Sequence, residues 1–217
     1  MYEELKAVCE EKGVTLVAVS KTKPVEEIMS IYQKGQRIFG ENRAQEMAEK
    51  YMLMPKDIQW HMIGHLQKNK VKYIAEFVSL IHSVDNEKLL QLIDKEAVKY
   101  NKKIDFLLQV KIAEEDSKYG LTFKQSLDII DIINKGKFPN CTCRGLMGMA
   151  TFTEDKNQIK DEFSLLQEHF NELKLNRVLD KKSFNILSMG MSGDYDIAID
   201  SGSNMVRVGS LIFGARN

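Results

Sequence analysis

Thr15-Leu-Val-Ala-Val-Ser-Lys-Thr-Lys-Pro24 runs apolar on both faces from Thr15 to Ser20 and then carries two lysines two residues apart. A strand that is hydrophobic on both sides belongs in a parallel sheet covered by helices. Pro24 closes the run, restricts Lys23 to an extended conformation and occupies a favoured first-turn position of a helix pattern reaching about Gly35. A lysine at such a strand end is either a solvated loop residue or an amine at the mouth of an apolar scaffold. In the second setting it can condense with a carbonyl.

Seven further runs of the same kind follow: "RIFGEN" from Arg37, "IQWHMIG" from Ile58, "SLIHSVD" from Ser79, "IDFLLQVKI" from Ile104, "CRGLMGMA" from Cys143, "FNILSMGM" from Phe184 and "MVRVGSLIFG" from Met205. Helix patterns lie between them, at 87–100, at 122–134, and on the stripe Ile159, Phe163, Leu166, Phe170 and Leu173. Eight alternations predict an α/β fold, either a closed (β/α)8 barrel or an open doubly wound sheet. No Gly-x-Gly-x-x-Gly turn follows the first strand, which disfavours a dinucleotide-binding sheet. Three prolines and no Gly/Ser-rich linker predict a single TIM-type barrel domain over 1–217.

The totals narrow the function. Lys plus Arg and Asp plus Glu number 31 each, so no global field draws nucleic acid or an anionic membrane. The charged opening, "MYEELKAVCEEKG", is unlike a signal peptide, and no apolar run approaches the ~18 residues of a membrane span. Three cysteines fit a reducing cytoplasm, and "CTC" at 141–143 is too tight for usual zinc spacing, so no metal is expected.

In a barrel, chemistry sits at the C-terminal ends of the strands. The residues there are Lys21 and Lys23, Glu41 and Asn42, Gly64 and His65, Ser83 and Asp85, Lys111, Thr151, Ser188, and Gly209 with Ser210. Alternation puts Val17, Val19, Lys21 and Lys23 on one side, and Lys21 lies nearer the apolar wall, where desolvation favours a free amine. Arg207, between two valines, reads either as half of a salt bridge beneath the mouth or as a donor aimed at a ligand. Loops after strands seven and eight are the usual phosphate site of this architecture; Gly209, Ser210 and Ser188 supply close approach and donors. An amine on strand one facing a phosphate cradle across the barrel suits a phosphorylated aldehyde, of which pyridoxal 5′-phosphate (PLP) is the commonest cofactor. His61 and His65 read as pocket-lining or structural rather than as a metal pair.

The chain resembles the pyridoxal-phosphate homeostasis proteins, also called proline synthetase co-transcribed homologues. The resemblance covers essentially the whole length through "VAVSKTKP", "FGENRAQE", "WHMIGHLQKNK", "SVD", "DSKYGL", "GLMGMAT", "LSMGMSGD" and "MVRVGSLIFGAR", in the family's order. It implies a barrel like the N-terminal domain of alanine racemase and PLP held as a Schiff base. By position, Lys21 matches the Schiff-base lysine and Lys23 its neighbour, while Asn42 lines the cofactor. Ser188, Gly209 and Ser210 match phosphate contacts, and Arg207 matches the arginine facing the pyridine nitrogen. Two departures stand out. The segment before the first strand is short, so a truncated helix is expected there, and Ser210 and Asn204 stand where threonine is frequent.

Arginine is a permanent cation and donor only, so at the pyridine nitrogen it implies a weak electron sink, which argues against transamination but not against racemization, since the related racemases share the feature. A two-base racemase also needs a second acid or base. In alanine racemase it is a tyrosine from a separate C-terminal domain; here Tyr119 and Tyr195 read rather as packing or loop residues. The expectation is a cytoplasmic, PLP-binding protein acting in vitamin B6 homeostasis without substantial catalysis, a monomer rather than a dimer, with PLP-dependent apo-enzymes as recipients. Alternatives are a PLP-dependent amino-acid racemase or lyase, and a class I aldolase-type barrel in which Lys21 binds a sugar-phosphate carbonyl.

Overall fold

In a computed structural model, which describes residues 1–115, 119–178 and 180–214, the run from Thr15 becomes a strand that ends before its lysines. Asp116, Ser117 and Lys118 of the "DSKYGL" motif, and Ala215 and Arg216 of the last motif, lie outside the described residues. The order is α1 (Tyr2–Glu11), β1 (Thr15–Val19), α2 (Val25–Gln33), β2 (Ile38–Glu41), α3 (Ala44–Leu53), β3 (Gln59–Met62), a 3₁₀ helix (Lys68–Tyr73), β4 (Val78–Val84) and α4 (Glu87–Lys99). It continues through β5 (Ile104–Gln109), α5 (Phe123–Asn134), β6 (Cys141–Met147), α6 (Lys156–Asn176), β7 (Ile186–Ser188), α7 (Tyr195–Asp200), β8 (Met205–Val208) and α8 (Ser210–Phe213). All neighbouring strands pair in parallel and β8 returns to β1, closing the barrel.

Strand alternation sorts the side chains into two layers. Leu16, Ala18, Phe39, Trp60, Phe106, Leu146 and Val206 face the helices and join the main core. Val17, Leu80, Leu107, Met147 and Met205 form a separate, small apolar plug inside the barrel. The plug is small because other inward positions carry polar groups: His61, His82, Gln109, Ser188 and Arg207, all buried. Gln109 and Arg207 reach a cavity at the strand ends, whereas His61, His82 and Ser188 do not line it.

The helices start where local chemistry satisfies their first amides. Asn86 accepts from the Leu89 N–H at 2.8 Å, Thr122 and Gln125 form a reciprocal capping box, and Asp155 accepts from Asn157 and Gln158. The stripe from Ile159 to Leu173 is buried on α6. Pro24 proves to be the N-cap of α2 rather than its first turn. Before β1, α1 is ten residues long and buries Tyr2, Leu5 and Cys9 along one face, with the Tyr2 hydroxyl donating to Gln36 at 3.2 Å.

One glycine is a geometric requirement of closure. Between β5 and β6 the register shifts, so that Phe106 opposes Cys143 but Leu107 opposes Gly145. Gly145 has φ +147°, and a Cβ there would lie 1.8 Å from the Ile186 carbonyl oxygen. Arg144, the residue displaced by the shift, turns outward and pairs with Asp105 at 2.7 Å.

Candidate functional site

A cavity of about 930 Å³ opens at the C-terminal ends of the strands. Among the residues lining it are Lys21, Lys23, Asn42, Arg207, Gly209 and Ser210. Five of the six residues matched to cofactor contacts thus meet in one space. Ser188 does not.

The lysines arrive by a turn, and the alternation expected to continue through Lys21 and Lys23 stops at Val19. The Lys23 N–H donates to the Ser20 carbonyl at 3.1 Å, and Thr22 sits at φ +65°. This is a tight turn with a β-branched residue in the left-handed region, a conformation costing of order 1–3 kcal/mol. Both lysines reach the cavity, half-buried, but their surroundings differ. The Lys23 amine donates to the Phe213 carbonyl at 2.9 Å and pairs with Glu27 at 3.3 Å, so it ties the C-terminal segment to the start of α2.

Arg207 comes up from inside the barrel, at the position of β8 opposite Val17. Its Nη1 donates to the Ser188 hydroxyl at 2.6 Å and its Nη2 to the Gly148 carbonyl at 3.0 Å. Neither partner is charged, so the salt-bridge alternative is not what the described residues build. Burial lowers the guanidinium to about 10, and the Asp194 carboxylate works in the opposite direction; it remains a cation at neutral pH.

Behind Arg207 runs a chain of buried polar groups. Ser188 Oγ lies 3.2 Å from His82 Nδ1, and His82 Nε2 lies 3.0 Å from His61 Nδ1. Arginine can only donate, so the ordering that also uses the serine hydrogen is Arg207 to Ser188, Ser188 to His82 Nδ1, and His82 Nε2–H to His61. Both imidazoles are neutral: burial pushes His61 down to about 3, and burial, His61 and Arg207 together push His82 well below the ordinary range. Ser188, matched by position to a phosphate contact, does not line the cavity. Its side chain is fully buried and its hydroxyl is spent on Arg207 and His82, one step beneath the cavity.

The rest of the cavity wall is set by close backbone approaches. A Cβ on Gly209 would meet the Val19 Cβ and carbonyl oxygen at 3.2 Å each, which brings the β8 turn against β1. Ser192 accepts from the Gly209 N–H at 3.2 Å, while Ser210, the first residue of α8, is exposed at the cavity. Asn42 is set by Gly64, where a Cβ would fall 2.5 Å from the Asn42 carbonyl oxygen. His65 also lines the cavity, with Asp85 at 3.6 Å and the Tyr119 ring centroid at 5.5 Å. Tyr119 is at the mouth, whereas Tyr195 packs against the core. His82 was missed from sequence, although its signal was there: it lies on the strand beside His61, two residues past the register partner Leu80. No cluster of three or more potential metal ligands exists among the described residues.

The chain matches the family "Alanine racemase, N-terminal domain" over residues 2–217. It is 39% identical over 210 residues to the pyridoxal phosphate homeostasis protein of Pasteurella multocida, covering 95% of this chain and 88% of that one. PipY of Synechococcus elongatus PCC7942 has been solved without PLP (TM-score 0.89, 31% identity, 98% of this chain and 99% of that). It has also been solved with PLP bound (TM-score 0.84, 30% identity, the same coverage). Alanine racemase from Bartonella henselae shares the fold at 15% identity, with a TM-score of 0.68 over 97% of this chain and 57% of that one. With an amine, a guanidinium and a glycine-lined turn converging at the mouth of this barrel, the chain belongs to the pyridoxal phosphate homeostasis protein family.

Proposed function

We propose that this chain binds PLP in the strand-end cavity, attaches it through Lys21, and serves intracellular PLP homeostasis as a holder of the coenzyme rather than as a catalyst. The observation that carries the reading is the shared cavity of Lys21, Arg207 and the Gly209–Ser210 turn. The residues fit such a ligand: an amine for an aldehyde, a tight glycine turn with a hydroxyl for a phosphate, and a donor-only cation in the same cavity. When bound, PLP supplies an aldehyde that condenses with a lysine amine, forming one C=N bond and releasing one water.

The chain's own residues then divide the work. Ser210 offers its hydroxyl and a first-turn N–H to the phosphate, and Gly209 lets the ligand approach the backbone. Asn42 borders the ligand from β2. Arg207 lines the cavity, spends two of its five N–H donors on Ser188 and Gly148, and has no proton acceptor to offer. A donor-only group leaves a basic ring nitrogen unprotonated, which weakens the electron sink and argues against transamination. Lys23 keeps the phosphate turn closed through Phe213. Support comes from the relative solved with PLP bound and from the relatives named for PLP homeostasis. The same reading makes the protein a cytoplasmic monomer that passes PLP to dependent apo-enzymes. Among the described residues, no helix is long and apolar enough to cross a membrane.

The test is to mix purified protein with PLP, reduce with borohydride and map the adduct by mass spectrometry. The expected result is a pyridoxyl group on the peptide containing Lys21, with a visible absorbance band that Lys21→Ala abolishes. An adduct on Lys23, or an unchanged band in Lys21→Ala, would overturn the assignment.

A further inference from the structure

The turn that presents Lys21 is held from outside the barrel by three charged side chains that the reading above does not use. Glu41, the last residue of β2, turns under α3 and is fully buried, while the next residue, Asn42, lines the cavity. Lys50 of α3, also buried, donates to Glu41 Oε1 at 2.8 Å, to Glu46 Oε1 at 2.7 Å and to the Ser20 carbonyl at 2.8 Å. The Ser20 hydroxyl donates to Glu41 Oε1 at 2.6 Å. On the far side of Lys21, the Thr22 N–H donates to Glu46 Oε1 at 2.6 Å. Both residues flanking Lys21 are thus tied to one cluster of two carboxylates around one ammonium.

The cluster is a poor device for stability. Two carboxylates share a single cation, Glu41 Oε2 is buried with no hydrogen-bond partner among the described residues, and burial raises the Glu41 carboxyl despite Lys50. It does match the one strained feature beside it, Thr22 at φ +65°. Such conformations persist only where the surroundings over-determine them, and they concentrate at functional sites.

We propose that Glu41, Glu46 and Lys50 are positioning residues that hold the Ser20–Lys23 turn in the one conformation that delivers the Lys21 amine to the cavity. The inference rests on Lys21 being the attachment point, and the experiment separates the two. Glu46 is the cleanest handle, because its side chain is partly exposed on α3. PLP is added to the full-length protein, aliquots are quenched with borohydride, and the Lys21 adduct is followed against time by mass spectrometry, with the coenzyme-free Tm measured in parallel. Glu46→Ala should slow adduct formation about 10-fold, the scale on which outer partners of a site act. Glu46→Gln, which keeps the Oε1 acceptor, should stay close to wild type. Adding Thr22→Gly to Glu46→Ala should restore the rate, because glycine adopts this φ without a steric penalty. A wild-type rate in Glu46→Ala, with no adduct in Lys21→Ala, would overturn the clamp and leave the role of Lys21 standing. Slow attachment that Thr22→Gly does not recover would also overturn it. An adduct that persists in Lys21→Ala would remove the underlying reading and the clamp with it.

Discussion

Replacing Ser188 by alanine separates two roles for this residue more sharply than any other change. If Ser188 touched the phosphate, Ser188→Ala would weaken coenzyme binding and leave the coenzyme-free protein as stable as before. The geometry says otherwise: the hydroxyl is fully buried, receives the Arg207 Nη1 donor at 2.6 Å and lies 3.2 Å from His82 Nδ1. Its loss leaves a guanidinium N–H and an imidazole nitrogen without partners where water does not reach. Each orphaned group costs about 1–3 kcal/mol, with the charged donor at the upper end, so the sum is about 3–5 kcal/mol. For a domain of this size that corresponds to a fall in Tm of about 10 °C. Differential scanning calorimetry of the coenzyme-free protein measures it, with Ser210→Ala as the contrast: exposed at the cavity, Ser210 should leave that Tm unchanged and weaken PLP binding. A Tm for Ser188→Ala within about 2 °C of wild type, together with lost PLP affinity, would refute the relay and restore the direct contact.

The other expectations are as physical. Burial holds His61 at about 3 and His82 well below the ordinary range, so below pH ~6.5 the unfolded chain binds more protons than the folded one; the stability this pair contributes is full above that pH and lost as pH falls toward 3. Urea titrations across that interval should show the loss, partly offset by the raised carboxyls of Glu41 and Asp194, and His61→Gln should reduce its slope by about one proton, ~1.4 kcal/mol per pH unit. Gly145→Ala forces a Cβ to 1.8 Å from the Ile186 carbonyl at φ +147°, so chemical denaturation should show a loss of about 4 kcal/mol or more, and Arg144→Ala beside it far less. Burial raises all three thiols, Cys9 to about 11 and Cys143 to about 12, so a thiolate-specific reagent should leave the native protein unlabelled at neutral pH and label three sites in urea.

The barrel was legible because closure needs strands that are buried on both faces, and such runs stand out against polar strand ends. Helices α4, α5 and α6 were legible for the complementary reason, since each carries its apolar stripe for several turns. Helix α3 was not: its buried face is Ala44, Met47 and Lys50, and a lysine in the stripe hides the period. Helices α7 and α8 have six and four residues, too few for any period to show. Thr22 was illegible in another way. Nothing in its identity announces φ +65°, because the conformation is imposed by the tethers on Ser20 and Thr22. Strand parity therefore does not extend to Lys21 and Lys23, which lie in the turn beyond the end of β1.

Depth along the barrel axis is the remaining quantity that a strand pattern does not encode. Ser188 and Arg207 both look like strand-end residues in sequence, yet Ser188 pairs with Met147 and Met205, whose side chains form the apolar plug, and Arg207 sits one inward position higher on β8. That offset follows from the stagger needed to close the strands, a property of all eight together. Its consequence is chemical. The stagger puts a serine under the guanidinium and two neutral imidazoles beyond it, so a fixed cation is supported by dipoles, with no carboxylate among the described residues in salt-bridge contact. The neutral partners in hydrogen-bond contact orient Arg207 without cancelling its charge, and Asp194 on the cavity wall is the carboxylate that tempers the field the ligand meets. A carboxylate in the place of Ser188 would hold the arginine as firmly and take that field away.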